Sequence, residues 1–288
     1  MKGAPFVVLA AFLWGLWPLF LKQSTLPGYA SGFVAMAVVS LAAIPVVFMR
    51  RGKKASRKAL LALIGVGATD AANVALYFGA VDRGPVAVAT LTHYLAPLLV
   101  CFGAPVFLGE AWSKRAIIAT PVVLGALWLV VSGGASAKEL PWITAALGAG
   151  SAVFYAANVL CSKAAAESYQ PFEVVALHGP VAAACLLVVF RGQALPTHFD
   201  LGLVSVLAGS LVAGLGATVA FNFGLRGVSA PVAGVITYLE PLVAAASGVL
   251  FFNEALGPLR IAGAAVVVGC GVWVALEKPL PPKGTVAG

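Results

Sequence analysis

The chain has 288 residues, of which 61% are hydrophobic and 10% charged, and its mean hydropathy is +1.01. A soluble globular protein carries roughly 25% charged residues, so the composition excludes a soluble fold and leaves an integral membrane protein. The net charge of +8 would suit nucleic acid. However, Arg50, Arg51, Lys53, Lys54, Arg57 and Lys58 crowd into one connection between apolar runs, where a cytoplasmic loop keeps its positive charge. The partner these charges imply is the lipid bilayer, not nucleic acid.

A spanning helix needs about 20 apolar residues, and cutting the chain at charges and Gly/Pro clusters gives ten candidate spans. The first, 5–22, follows Lys2 and imitates a signal peptide, but Trp14, Trp17 and Pro18 are foreign to such segments and no small-residue cleavage pattern follows. It is expected to be a retained span. The second covers 29–49. The third, 58–80, carries Asp70, Asn73 and Tyr77 on one helical face. A charged side chain at the bilayer centre costs about 3 kcal/mol or more, so it normally faces a bundle interior or a wet cavity. The fourth, 85–108, places Thr90, His93, Tyr94 and Pro97 on one face, and Pro97 removes the hydrogen bond to the His93 carbonyl. The fifth covers 115–131.

The sixth, 141–163, again puts polar residues on one face. Ser151 and Ser162 suit close helix packing, which leaves Tyr155 and Asn158 as cavity candidates. The seventh, 171–190, begins near Glu173, where an acid suits a helix N-terminus, and contains an isolated His178 that is not expected to be a direct ligand. The eighth, 201–225, holds Thr218 and Asn222. The ninth, 230–252, holds Tyr238, Glu240 and Pro241, and Pro241 is expected to free the Thr237 carbonyl. The tenth covers 259–276. Cys101, Cys161, Cys185 and Cys270 all lie in apolar runs without ligand spacing, so neither a disulfide, a metal nor a cofactor is expected.

Sliding the chain along itself by about 144 residues exposes a repeat. LTHYLAPL (91–98) falls on VITYLEPL (235–242), pairing Tyr94 with Tyr238 and Pro97 with Pro241. Upstream, NVALYFG (73–79) matches TVAFNFG (218–224). Downstream, Glu110 matches Glu254, and near the starts of the halves WGLWPLFLK (14–22) matches YAANVLCSK (155–163). Five helices per repeat is an odd number, so the second half enters the membrane the other way up, as in secondary transporters. The fold class is therefore an all-α integral membrane protein with ten transmembrane helices in two inverted five-helix repeats, 1–135 and 136–288, the second with a short tail. Placing the N-terminus inside puts 13 of the 18 Lys and Arg residues on the inner side and 5 on the outer. Both termini are thus expected to be cytoplasmic.

These halves resemble the drug/metabolite transporter superfamily, specifically its EamA-type exporters. The resemblance rests on Trp14-Gly15, on the Pro-containing fourth and ninth spans, and on NEALGPLRIAGAAVVVGCGVW (253–273). In the first half, Thr120 and Pro121 depart from the glycine-spaced pattern near Gly263. Within the superfamily the aromatic pattern looks most like bacterial aromatic amino acid exporters of the YddG type. The resemblance implies a secondary transporter of the bacterial inner membrane that exports amino acids, aromatic ones among them, by alternating access, and not an enzyme.

The substrate-binding candidates are Trp14, Trp17, Asn73, Tyr77, His93, Tyr94, Tyr155, Asn158, Tyr238 and Glu240. Asp70 and Glu240 are candidates for a proton or cation, and Pro97 and Pro241 for hinges. An exporter of drugs or quaternary amines is the alternative, because aromatic walls and one acid would serve it too. A membrane-embedded enzyme is more distant, for no catalytic constellation is found. The sequence leaves the oligomeric state open, a monomer included.

Overall fold

The structure is a computed structural model describing residues 2–48, 56–84, 86–132, 142–196, 198–252 and 257–277. Helices stand at every place where apolar length demands them. They are α1 Ala4–Leu21, α2 Gly28–Phe48, α3 Arg57–Val81, α4 Val88–Leu108, α5 Lys114–Ser132, α6 Trp142–Ala165, α7 Pro171–Val189, α8 Leu201–Leu225, α9 Ala230–Phe252 and α10 Pro258–Ala275. Among the described residues, nine are long and apolar enough to cross a membrane, α5 being the helix outside that set. No strand occurs among the described residues. Most of the basic cluster (Arg50, Arg51, Lys53 and Lys54), Glu254 and the tail from Lys278 lie outside the described residues.

Local chemistry sets several of the ends. The Ser56 hydroxyl accepts the Ala59 N–H to start α3, and Asp200 accepts the Leu203 N–H to start α8. A reciprocal cap between Gln170 and Glu173 starts α7. α4 ends in a wider π turn, Ala104–Leu108, that accommodates Pro105, and Gly109 then adopts a left-handed φ of 68°.

The helices pack in a definite set. α3 lies along α6 and α7, α2 along α7, α5 along α10, and α1 along the second half of α8. In a membrane such contacts depend on close backbone approach at small residues. A Cβ on Gly148 of α6 would collide with Thr92 of α4, and one on Gly67 of α3 would collide with the His178 carbonyl of α7. The largest buried cluster, including Val7, Tyr94, Val100, Leu127, Val159, Phe221, Ile236, Tyr238 and Val267, draws on seven helices from both halves. Phe6, Leu61, Trp142, Val188, Phe251 and Leu276 remain exposed on the outside of the bundle, as a lipid-facing surface requires.

Candidate functional site

α4 and α9 are both broken in the middle. α4 loses its helical ladder at Tyr94 and Leu95 and restarts at Ala96 with Pro97 in its first turn. α9 passes through a tight turn, Thr237–Leu239, and restarts at Glu240 with Pro241 in its first turn. Proline suits such a start, because its missing N–H would have had no partner there. One expectation is corrected at this point. The Thr237 carbonyl is not freed by Pro241, since the tight turn gives it the Glu240 N–H.

His93 sits at the α4 break within a ring of aromatic side chains. Its imidazole lies 5.0 Å from the Tyr77 ring, 5.1 Å from the Tyr155 ring and 5.4 Å from the Tyr94 ring. Nδ1 of His93 is 2.9 Å from the Ser151 hydroxyl of α6. The Tyr77 and Thr90 hydroxyls are 3.1 Å apart. Across the bundle, the Glu240 carboxylate faces the Tyr94 hydroxyl, and Thr237 faces Tyr155. Tyr155 lies within electrostatic reach of both Glu240 and Asp70. Thus α3, α4, α6 and α9 each bring polar or aromatic groups to one place, and His93, Tyr77, Tyr155 and Glu240 are only partly buried.

The remaining candidates separate from this ring by degrees. Tyr94 is 5% exposed and Tyr238 is fully buried; their rings lie 5.9 Å apart, and the Tyr238 hydroxyl donates to the Tyr94 carbonyl at 2.9 Å. This repeat-related pair holds the α4 break to α9. The Asn158 amide donates to the Val66 carbonyl at 2.9 Å and so ties α6 to α3. Asn73 keeps a buried side-chain oxygen without a hydrogen-bond partner, an unmade bond that costs about 1–3 kcal/mol unless something fills it. Trp14 packs on Phe221 at 5.1 Å beside the central cluster. Trp17 lies elsewhere, edge-on to Phe20 and close to Gly209 of α8.

Two groups that the sequence reading set aside have specific partners. Ser151 is the partner of His93, and His178 faces Asp70 at 3.5 Å. Spacing along one helix reveals which side chains share its face but not what another helix brings to them.

At the end of the bundle that carries the N-terminus, charged groups link the helix ends. Lys163 of α6 is 3.5 Å from Glu110 and donates to the carbonyls of Leu225, the last residue of α8, and Val228 just beyond it. Glu110 in turn accepts the Ala230 N–H that opens α9, at 2.8 Å. Among the described residues, no group of three or more His, Cys, Asp or Glu side chains is arranged to hold a metal ion.

Comparison with known proteins places the whole chain. An uncharacterised transporter of Archaeoglobus fulgidus is 26% identical over 95% of this chain and 96% of its own length. The pseudopaline exporter CntI of Pseudomonas aeruginosa is 27% identical over 93% of each chain. The uncharacterised transporter YwfM of Bacillus subtilis is 28% identical over 98% of this chain and 97% of its own. A solved protein structure superposes with a TM-score of 0.80 over 96% of both chains at 18% identity, which bears on fold alone. The EamA-like transporter family matches twice, over residues 1–132 and again over 142–276; the chain belongs to the EamA-like transporter family.

Proposed function

We propose that this transporter is a secondary exporter of amino acids, aromatic ones among them, working by alternating access through the site around His93. The observation that carries the reading is the ring of Tyr77, His93, Tyr94 and Tyr155 set against Glu240. A ring-bearing zwitterion needs aromatic walls, an acceptor for its ammonium and donors for its carboxylate. Glu240 supplies the acceptor, and the Tyr77–Thr90 hydroxyl pair, which uses one of its two hydrogens internally, supplies a donor. The aromatic preference rests on this ring and not on the relatives. The export direction draws support from the relative named for exporting pseudopaline. The described Lys and Arg residues stand at helix ends or in connections, which disfavours phosphate-bearing cargo.

The architecture in this reading is ten spans in two inverted halves dividing near residue 135. The family's double match supports it. So does the packing, in which α3 on α6 corresponds to α8 on α1, while α2 on α7, α4 on α9 and α5 on α10 each join equivalent helices. The proposed location is the bacterial inner membrane, with both termini cytoplasmic.

The test is equilibrium exchange in proteoliposomes, with labelled L-phenylalanine inside and unlabelled L-phenylalanine outside. Exchange that is saturable and falls at least about tenfold, some 1.4 kcal/mol of lost interaction, in Tyr155→Ala or Glu240→Gln is the expected result. Exchange of tetraphenylphosphonium with none of L-phenylalanine would favour the second reading, a drug or quaternary-amine exporter, which the same rings and Glu240 would serve.

A further inference from the structure

We propose that Asp70 and His178 together form a proton-binding site, separate from the site around His93, whose proton moves opposite to the exported solute. For the direction of that exchange the proposal rests on the export reading above. The geometry of His178 carries the rest. Its Nδ1 lies 2.8 Å from the Val174 carbonyl one turn earlier on α7. A carbonyl can only accept, so Nδ1 carries a hydrogen. The other nitrogen, Nε2, faces Asp70 Oδ2 at 3.5 Å. A bare Nε2 and an ionised carboxylate would present two lone pairs to each other. One additional proton, carried on Nε2, turns that repulsion into an imidazolium–carboxylate pair.

The ring has no freedom to turn away. His178 is 3% exposed. Its backbone is gripped by the missing side chain of Gly67 on α3, and the next residue, Gly179, is pressed against Ser40 and Met36 of α2. Asp70, with 19% of its side chain exposed, is the wetter member and the route by which the proton arrives and leaves. When the proton goes, the pair becomes a carboxylate and a neutral imidazole. The site then carries one negative charge more.

The neighbouring groups on each packed helix are consistent with a single-proton site. From α6, Tyr155 lies within electrostatic reach of Asp70, and Cys161 approaches Gly65 of α3 one turn away. α7 adds Cys185, packed near Ala71. From α4, His93 reaches α3 through Tyr77. α2 contributes Ser40 and Met36, which do not titrate, and the stretch of α8 that packs on α7, Ala217–Leu225, has no titratable side chain. Glu240 of α9 faces Tyr155 from the other side.

Two measurements on the full-length protein decide the matter. In lipid nanodiscs near neutral pH, isotope-labelled histidine NMR reads the ring nitrogens of His178, assigned by their loss in His178→Gln. Both nitrogens should be protonated in the wild type and only Nδ1 in Asp70→Asn. A singly protonated His178 in the wild type overturns the proposal, with no transport needed. In proteoliposomes, accumulation of L-phenylalanine against a pH gradient should fall at least about tenfold in Asp70→Asn and in His178→Gln, while gradient-free exchange stays within about twofold. Undiminished gradient-driven accumulation in either folded variant, or equal loss of exchange, also overturns it. Wild-type protein that exchanges no L-phenylalanine removes the amino acid reading instead, and the NMR result then decides the proton site alone.

Discussion

Asp200 shows how a single side chain connects sequence to a measurable property. It stands just before α8, accepts the Leu203 N–H at 2.8 Å and takes the Thr25 hydroxyl at 2.7 Å. The Leu203 amide first, and then the Thr25 hydroxyl, hold its carboxyl below the ordinary value of 3.8. A depressed value in the folded state means that the contribution is present above the ordinary carboxylate range and is lost as pH falls through the folded value. Acidification should therefore lower the melting temperature of the detergent-solubilised wild type more steeply than that of Asp200→Asn. Parallel slopes would show the cap to be energetically silent. An N-cap of this kind is a local signal, an Asp or Ser ahead of an apolar run, although the expected spans rest on apolar length and the caps at Ser56 and Asp200 emerge from the structure. The partners of His93 and Asp70 could not be read in that way. Ser151 lies 58 positions from His93, and nothing in either local stretch specifies that α4 and α6 will meet there.

At the scale of elements, apolar length sets boundaries well: the expected 201–225 and 230–252 coincide with α8 and α9, and the other spans differ from the observed helices by a few residues. What length cannot show is irregularity inside a span. The π turns at Ala104–Leu108 and Ser210–Gly216 and the restart at Trp17 redistribute backbone hydrogen bonds without changing hydropathy. Contact glycines behave similarly, since identical residues have opposite sensitivities. Gly148→Val should cost about 1–3 kcal/mol by forcing Val against Thr92 and the Ala89 carbonyl 2.9 Å away. Gly125→Ala meets nothing within 4 Å and should leave stability unchanged or slightly raised. Thermal unfolding of the two variants in one detergent compares them directly, and equal destabilisation would contradict the helix packing described.

The broken helices α4 and α9 bear on motion. Pro97 lies against Gly234, where a Cβ would stand 3.3 Å from the proline's own Cβ, so the two breaks meet at the crossing of the halves. As hinges, Pro97 and Pro241 should govern the rate of exchange more than affinity. Pro97→Ala and Pro241→Ala are expected to slow L-phenylalanine exchange by about tenfold or more, with substrate affinity changed by less than about threefold. Unchanged exchange in both variants would make the prolines packing features.

In the proposed alternating-access cycle, the relevant balance for the whole molecule is between a state closed at the N-terminal end and one open there. In the closed arrangement the second half of α4 packs on the start of α9, and Lys163 joins Glu110 to the carbonyls of Leu225 and Val228. Glu110 also holds the Ala230 N–H, so one carboxylate and one ammonium tie together the ends of four helices. Opening this end must break all of these contacts at once, whereas the aromatic site near the middle can stay intact. Lys163→Met removes the donors but keeps the length and apolar stem of the side chain. Each 1.4 kcal/mol so lost moves the equilibrium about tenfold toward the open state. The variant should therefore admit a thiol reagent from the N-terminal side to a cysteine placed at Thr237, in an otherwise cysteine-free chain, at least about tenfold faster than the parent. Glu110→Gln, which keeps an acceptor for the Ala230 N–H, should act in the same direction but more weakly. If labelling of Thr237→Cys is equally slow with and without Lys163, the charged cluster does not hold the closed state, and close backbone packing, such as that of Gly3 against Gly227, is what does.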